Sequence, residues 1–390
     1  MTDLTFAGPR TRVSRYPDAE RQPTLDTWQD APHSKWAFAH VSEYVPTAVI
    51  RQTPVDRAGT SNLAALATVG DIGARLEASH TDAFLVVRDG ERIAEYRRPG
   101  FGERDGHLLM SVSKSLCGIV VGTLIDDGLI DAAETVSVYL PELADSAYGD
   151  ATVQQVLDMT VAVDYDENYR DERSHVQAQD RIAGWRTRLA TDPENTYDFL
   201  LQLRKSGSHG RRFQYCSADT DVLAWLIESV TGSRYADVLA DRLWQPLGCD
   251  HDASITVDAA GFAFANGGIS CTAGDLARVG RLMLAGGRID GRRVVSADWV
   301  ASTMAGGDVD AVQDLIIQDV HPNVSYRNQW WSTGNERGNV YAVGIHGQYI
   351  WLDPPTSTVI VKLSSCPEPV TADWNALHAT LFRDVCAAVG

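Results

Sequence analysis

The sequence predicts an α+β fold: the two ends of the chain build one antiparallel sheet flanked by helices, with a mainly helical domain inserted between them. Two observations predict it. Strand patterns stand near residue 83 and again beyond residue 340, whereas the stretch from about 135 to 255 is dominated by helical patterns. A chain of 390 residues also has room for two or three structural units. The expected division is 1–134 with 256–390 as the sheet domain, including an N-terminal arm over 1–60, and 135–255 as the helical domain.

The first 60 residues are rich in Pro, Arg, Asp and Trp and weakly periodic, so they read as an irregular arm wrapped on the body. The first firm element is a hairpin, in which 83–87 and 92–96 flank Asp89-Gly90, a two-residue turn signal. A long apolar run over 111–125 follows; Ser can cap its start and Gly128 can end it, which predicts a nearly all-buried helix. Within the helical part, 153–159, 197–203 and 220–230 are the clear helices, interrupted by polar loops at 163–180 and 205–212. Beyond 265, residues 272–284 form an amphipathic helix, and 340–352 and 359–364 read as strands.

Apolar residues make up 44% of the chain and charged residues 22%, which excludes disorder, collagen and coiled coil as the main state. The balance of 34 basic against 52 acidic residues, a net charge of −18, argues against a nucleic-acid partner, because neutralising phosphates needs a basic surface. It argues equally against docking on anionic lipid, and it favours cationic substrates. No apolar run long enough for a membrane span and no signal-peptide core is visible. The six cysteines (Cys117, Cys216, Cys249, Cys271, Cys366 and Cys386) form no C-x-x-C and have no His at ligand spacing. They read as reduced thiols of a cytoplasmic protein.

The chemistry-bearing feature is Ser111-Val112-Ser113-Lys114, an S-x-x-K at the start of the buried helix. At i and i+3 the Ser111 and Lys114 side chains share one face, one turn apart. Serine is a weak nucleophile until a base takes its proton, and lysine becomes such a base when burial lowers its pKa. The helix N-terminus also offers N–H groups to a developing oxyanion. The chain has only four lysines, Lys35, Lys114, Lys205 and Lys362, so a chance match is uncommon; the plain alternative is a surface Lys beside a capping Ser. No H-E-x-x-H, P-loop or helix-opening G-x-G-x-x-G occurs, so neither a metal nor a cofactor is expected. His346 reads as structural, and Trp330-Trp331 as core or pocket wall.

Ser111-Val112-Ser113-Lys114, then Tyr215-Cys216-Ser217, then Gly344-Ile345-His346-Gly347 follow the order of the three motifs of serine β-lactamases and penicillin-recognising enzymes, which this sequence resembles. Stretches 152–160 and 267–277 are similar to the class C and esterase branch. Within it the chain resembles the 6-aminohexanoate-dimer (nylon-oligomer) hydrolases over 107–118, 213–225, 264–275 and 329–353, and more loosely over nearly its whole length. The resemblance implies a β-lactamase/DD-peptidase-like fold. It also implies a serine hydrolase of linear 6-aminohexanoate amides and short-chain carboxylic esters, acting through an acyl-enzyme on Ser111, and a possible homodimer.

By the same resemblance Lys114 is the base, and Tyr215 is a second acid/base whose pKa is lowered beside Lys⁺. The oxyanion donors are the backbone N–H groups of Ser111 and Ile345. Tyr169 binds the scissile amide, Asp180 meets a substrate ammonium, Trp185 packs as a lid, and Asn266 lines the site. The plain alternatives remain a core or helix-cap role for Tyr215 and for Asn266, a core strand at Ile345, and an ion pair of Asp180 with Arg181. Ser217 stands where many relatives carry Asn, and Ala342-Val343-Gly344 replaces the usual Lys-Thr-Gly, so the substrate is expected to be other than a β-lactam. Val370 stands where relatives carry a polar residue, which is expected to reduce activity on the nylon oligomer. The competing readings are a D-alanyl peptidase or β-lactamase, and a non-catalytic sensor.

Overall fold

The computed structural model describes residues 60–390, so the arm expected over 1–60 lies outside the described residues except for its last residue. Eight strands form one sheet: β1 (Thr60–Asn62), β2 (Thr81–Arg88), β3 (Glu91–Arg97), β4 (Ser325–Arg327), β5 (Trp330–Ser332), β6 (Val340–Gly344), β7 (Gln348–Asp353) and β8 (Thr358–Ser364). Their spatial order is β1-β3-β2-β8-β7-β6-β5-β4, and every neighbouring pair is antiparallel. The two ends of the chain meet where β2 pairs with β8, as the sequence predicts. The β2–β3 turn falls at Asp89 and Gly90, with φ of 48° and 86°; two positive φ values in a row are what a tight hairpin turn of the right hand requires.

Both faces of the sheet are covered. Along β2, Leu85 and Val87 join one core and Phe84 and Val86 the other, because successive side chains of a strand point to opposite faces. This is why 83–87 is an unbroken apolar run rather than an alternating one. Seven helices matter below: α1 (Ile72–Ala78), α2 (Val112–Asp126), α3 (His175–Ile182), α4 (Thr196–Gln202), α5 (Ser217–Thr231), α6 (Ala273–Leu284) and α7 (Ala372–Val389). α6 packs on the first core and α7 on the second. Every residue of α2 from Val112 to Leu124 is buried, as expected, because the helix lies between the sheet and α5.

Three expectations need correction. The polar loop over 163–180 ends at Ser174, whose hydroxyl accepts from the Gln177 N–H and starts α3. Apolar periodicity misses this helix because its buried face carries Gln177, Gln179 and Arg181. The strand over 340–352 is two strands, parted by a turn at 345–347 in which His346 and Gly347 have φ of 65° and 89°. The third correction is α7, an 18-residue helix capped by Thr371, which the strand-dominated reading of the C-terminal part passes over. Among the described residues, no helix is long and apolar enough to cross a membrane.

Candidate active site

Ser111 is the residue from which α2 departs, reached through Met110 in the left-handed region at φ 49°. A non-glycine residue held there is uncommon and often marks a functional turn. One turn into the helix, Lys114 is 1% exposed; its Nζ lies 2.8 Å from Ser111 Oγ and donates to the Asn266 carbonyl at 2.7 Å. Burial pushes the amine down to about 8, against the opposing pull of Glu167 and Asp221. An amine shifted that far can give up its proton near neutral pH and act as a base toward the serine hydroxyl within its reach.

Tyr215 also bonds to the Ser111 side chain. Its expected lowered pKa is not found. Burial and the Glu167 charge push the phenol well up, and Lys114 Nζ lies 5.3 Å from the centre of its ring. Tyr215 is thus a neutral phenol at rest, suited to donate rather than to accept.

The N–H groups of Ser111 and Ile345 donate to no carbonyl among the described residues, although those of Val112 and His346 on either flank do, at 3.2 and 2.9 Å. Ile345 is the first residue beyond β6, in the turn rather than on the strand. It is brought to Ser111 by Gly344, where a Cβ would sit 3.0 Å from Ser111 N and 2.5 Å from the Leu109 carbonyl. Any side chain at 344 would push the strand off the start of α2. Two N–H groups without a carbonyl acceptor, one on Ser111 and one on the residue that Gly344 brings close to it, are what an oxyanion site needs.

A cavity of about 290 Å³ opens here, lined by Ser111, Tyr169, Tyr215, Ile345 and Val370, with Lys114 beneath its serine. Asp180, Trp185 and Asn266 do not line it. Asn266 supplies its carbonyl to Lys114 and turns its side chain to buried Asp221, at 2.7 Å. The pairing of Asp180 with Arg181 is not observed. Arg181 makes a two-pronged bond to Asp192, and Asp180 pairs with Arg186 at 3.2 Å. Burial raises the Asp180 carboxyl, and Arg186 opposes that rise. Trp185 donates its indole N–H to Thr256 and lies edge-on to Phe264, 4.9 Å between ring centres.

Two carboxylates escaped the sequence reading. Glu167 lines the cavity and accepts from the Tyr169 hydroxyl at 2.7 Å, and from both the N–H and the hydroxyl of Ser217 at 2.9 and 2.6 Å. It caps α5 from another segment, where the preceding Cys216 offers no side-chain cap. The only signal is its place in the acidic run 164–172, which reads as a solvated loop. Asp221, fully buried on α5 and pushed up to about 7 by burial, holds Asn266 and Gln179.

The β-lactamase family model matches residues 72–381. The chain belongs to that family. A 6-aminohexanoate-dimer hydrolase of Paenarthrobacter ureafaciens is 56% identical over 96% of this chain and 97% of its own. Among solved β-lactamase-fold structures, a Bacillus anthracis protein proposed to be a 6-aminohexanoate-dimer hydrolase superposes with a TM-score of 0.75 at 25% identity, covering 93% of this chain and 97% of that one. The octameric penicillin-binding protein homologue from Pyrococcus abyssi has the same fold, with a TM-score of 0.61 at 16% identity over 81% and 77% of the two chains.

Proposed function

We propose that this β-lactamase-family protein is a serine hydrolase of linear amides of the 6-aminohexanoate dimer type and of short-chain carboxylic esters. What carries the reading is the buried Lys114 amine, 2.8 Å from a serine hydroxyl at the mouth of a cavity. Lys114 takes the Ser111 proton as Oγ bonds to the carbonyl carbon, and the Ser111 and Ile345 N–H groups hold the oxyanion. As the intermediate collapses, the C–N bond breaks, the Tyr215 hydroxyl protonates the leaving nitrogen, and the Lys114 ammonium restores the phenol. Water then adds to the acyl carbon, giving its proton to the same base, and Ser111 leaves as the free hydroxyl. The 56% identical relative supports the substrate class.

Incubation with a slow ester followed by mass spectrometry should show one acyl group on Ser111, none in Ser111→Ala, and a turnover loss in that variant of roughly 10⁴-fold or more. Label on another residue contradicts the assignment. Asp180, whose side chain is 16% exposed, is the proposed seat of a substrate ammonium once Arg186 swings aside. Asp180→Ala should lower kcat/KM on the dimer at least tenfold more than on a neutral acetate ester; equal losses refute the role. The same reading extends to a cytoplasmic homodimer, and a monomeric mass in light scattering would contradict the second part.

A further inference from the structure

The cavity continues well past the reacting groups. From Tyr215 a ladder of rings crosses the sheet. Tyr215 stacks near Trp331 at 6.0 Å and 13°, Trp331 near Tyr341 at 6.3 Å and 13°, and Tyr341 near Trp351 at 5.4 Å and 25°. The register builds it, because Trp331 pairs directly with Tyr341 and Tyr341 with Trp351, so all three rings rise from one face of β5, β6 and β7. All four rings line the cavity, and α7 closes its far end with His378.

This inner half has polar atoms without partners. The Tyr341 hydroxyl is buried and bonds to nothing, and Tyr341 is 2% exposed. His378, also 2% exposed, has the Trp374 carbonyl one turn back as its polar neighbour and no partner of normal hydrogen-bond geometry. A buried polar group left unpaired is costly, and two beside one cavity point to a ligand that satisfies them. No lysine or arginine lines the inner half. Burial and the nearby Lys362 amine hold His378 well below its ordinary range, and burial brings His321 down to about 4, so both are neutral. The one carboxylate at the outer rim besides Glu167, Glu368, is exposed and paired with Arg170 at 2.9 Å.

We propose that this ring-lined half is the leaving-group subsite, built for an uncharged amine or alcohol that carries a carbonyl at its far end. The inference rests on the acyl-enzyme reading above and sharpens its substrate. Tyr215, which protonates the departing atom, is the first rung of the ladder, whereas Asp180 and Trp185 on the proposed acyl side do not line the cavity. A terminal carboxylate, as the leaving half of the dimer carries, would enter a site whose lining holds no lysine or arginine; the Lys362 amine behind His378 is engaged by Ser79 and Ser364, and Val370 at the edge offers no charge. An interior amide carbonyl of a longer or capped chain meets the Tyr341 hydroxyl instead.

The test compares the linear 6-aminohexanoate dimer with the same dimer whose terminal carboxylate is a primary carboxamide. The two share the acyl half, chain length and scissile bond. The carboxamide should be cleaved with at least tenfold higher kcat/KM, mainly through a lower KM. Tyr341→Phe, which removes one oxygen from a ring that stays in place, should cut the carboxamide rate at least fivefold while leaving methyl 6-aminohexanoate within twofold. Equal or better cleavage of the carboxylate form overturns the subsite, as does a Tyr341→Phe loss that is the same on both substrates. Failure of methyl 6-aminohexanoate to acylate Ser111 is a separate outcome: it sinks the hydrolase reading, and the subsite with it.

Discussion

Among the described residues two lysines are buried beside serine hydroxyls, and only one of them can work. Lys114 Nζ meets Ser111 Oγ and the Asn266 carbonyl; Lys362 Nζ, in the middle of β8, meets the Ser364 hydroxyl and the Ser79 carbonyl. Burial brings the first amine to about 8 and the second to about 7. By proton affinity alone Lys362 is the readier base. Ser364, however, is 1% exposed, does not line the cavity, and its N–H is spent on the Gln348 side chain at 3.0 Å, so it offers a substrate neither access nor an oxyanion donor. Ser111 ends a strained turn, lines the cavity and keeps two unspent N–H groups and Tyr215 within reach. A depressed amine is a common result of burial; the surroundings of the serine make it a catalyst.

The comparison can be broken at either lysine. Lys114→Met should lower kcat/KM on p-nitrophenyl acetate by roughly 10²–10⁴-fold, the usual worth of a general base. Lys362→Met should leave the rate within about threefold; a comparable loss would erase the distinction. The smaller effect is on stability. Between about 7 in the fold and 10.5 in the unfolded chain, the unfolded state binds a proton that folded Lys362 refuses, so stability rises with pH across that window and is flat below it. The slope for one such group is at most about 1.4 kcal/mol per pH unit. Denaturant titrations at pH 7 and 9 should show less gain in Lys362→Met than in the parent chain; identical gains would mean that this amine is not depressed.

Much of this was legible in the chain. The Asp89-Gly90 turn, the greasy run after Ser111 and the apolar strands after 340 carry local signals, and together they give the α+β architecture and the Ser111–Lys114 pair. What was not legible depends on partners distant in sequence. Lys362 reads as a strand residue until Ser79, nearly 300 positions away, is folded against it. Glu167 reads as part of an acidic loop, because its role as the cap of α5 is visible only in three dimensions. The expected acidic Tyr215 failed for the same reason: burial and the Glu167 charge, which only the fold brings to the phenol, push it up. The plain alternative for Asp180, an ion pair with its neighbour Arg181, fails because successive helix positions point apart, and Arg186 is the partner.

The central claim is that a neutral Lys114 strips the proton from Ser111. The direct measurement is the pre-steady-state acylation rate with p-nitrophenyl acetate as a function of pH, in the parent chain and in Lys114→Met. The rate should climb with pH and level off above about 8 in the parent, as the amine loses its proton, and that step should vanish in Lys114→Met. A step that persists unchanged at the same pH in Lys114→Met would assign the proton transfer to another group and contradict the account.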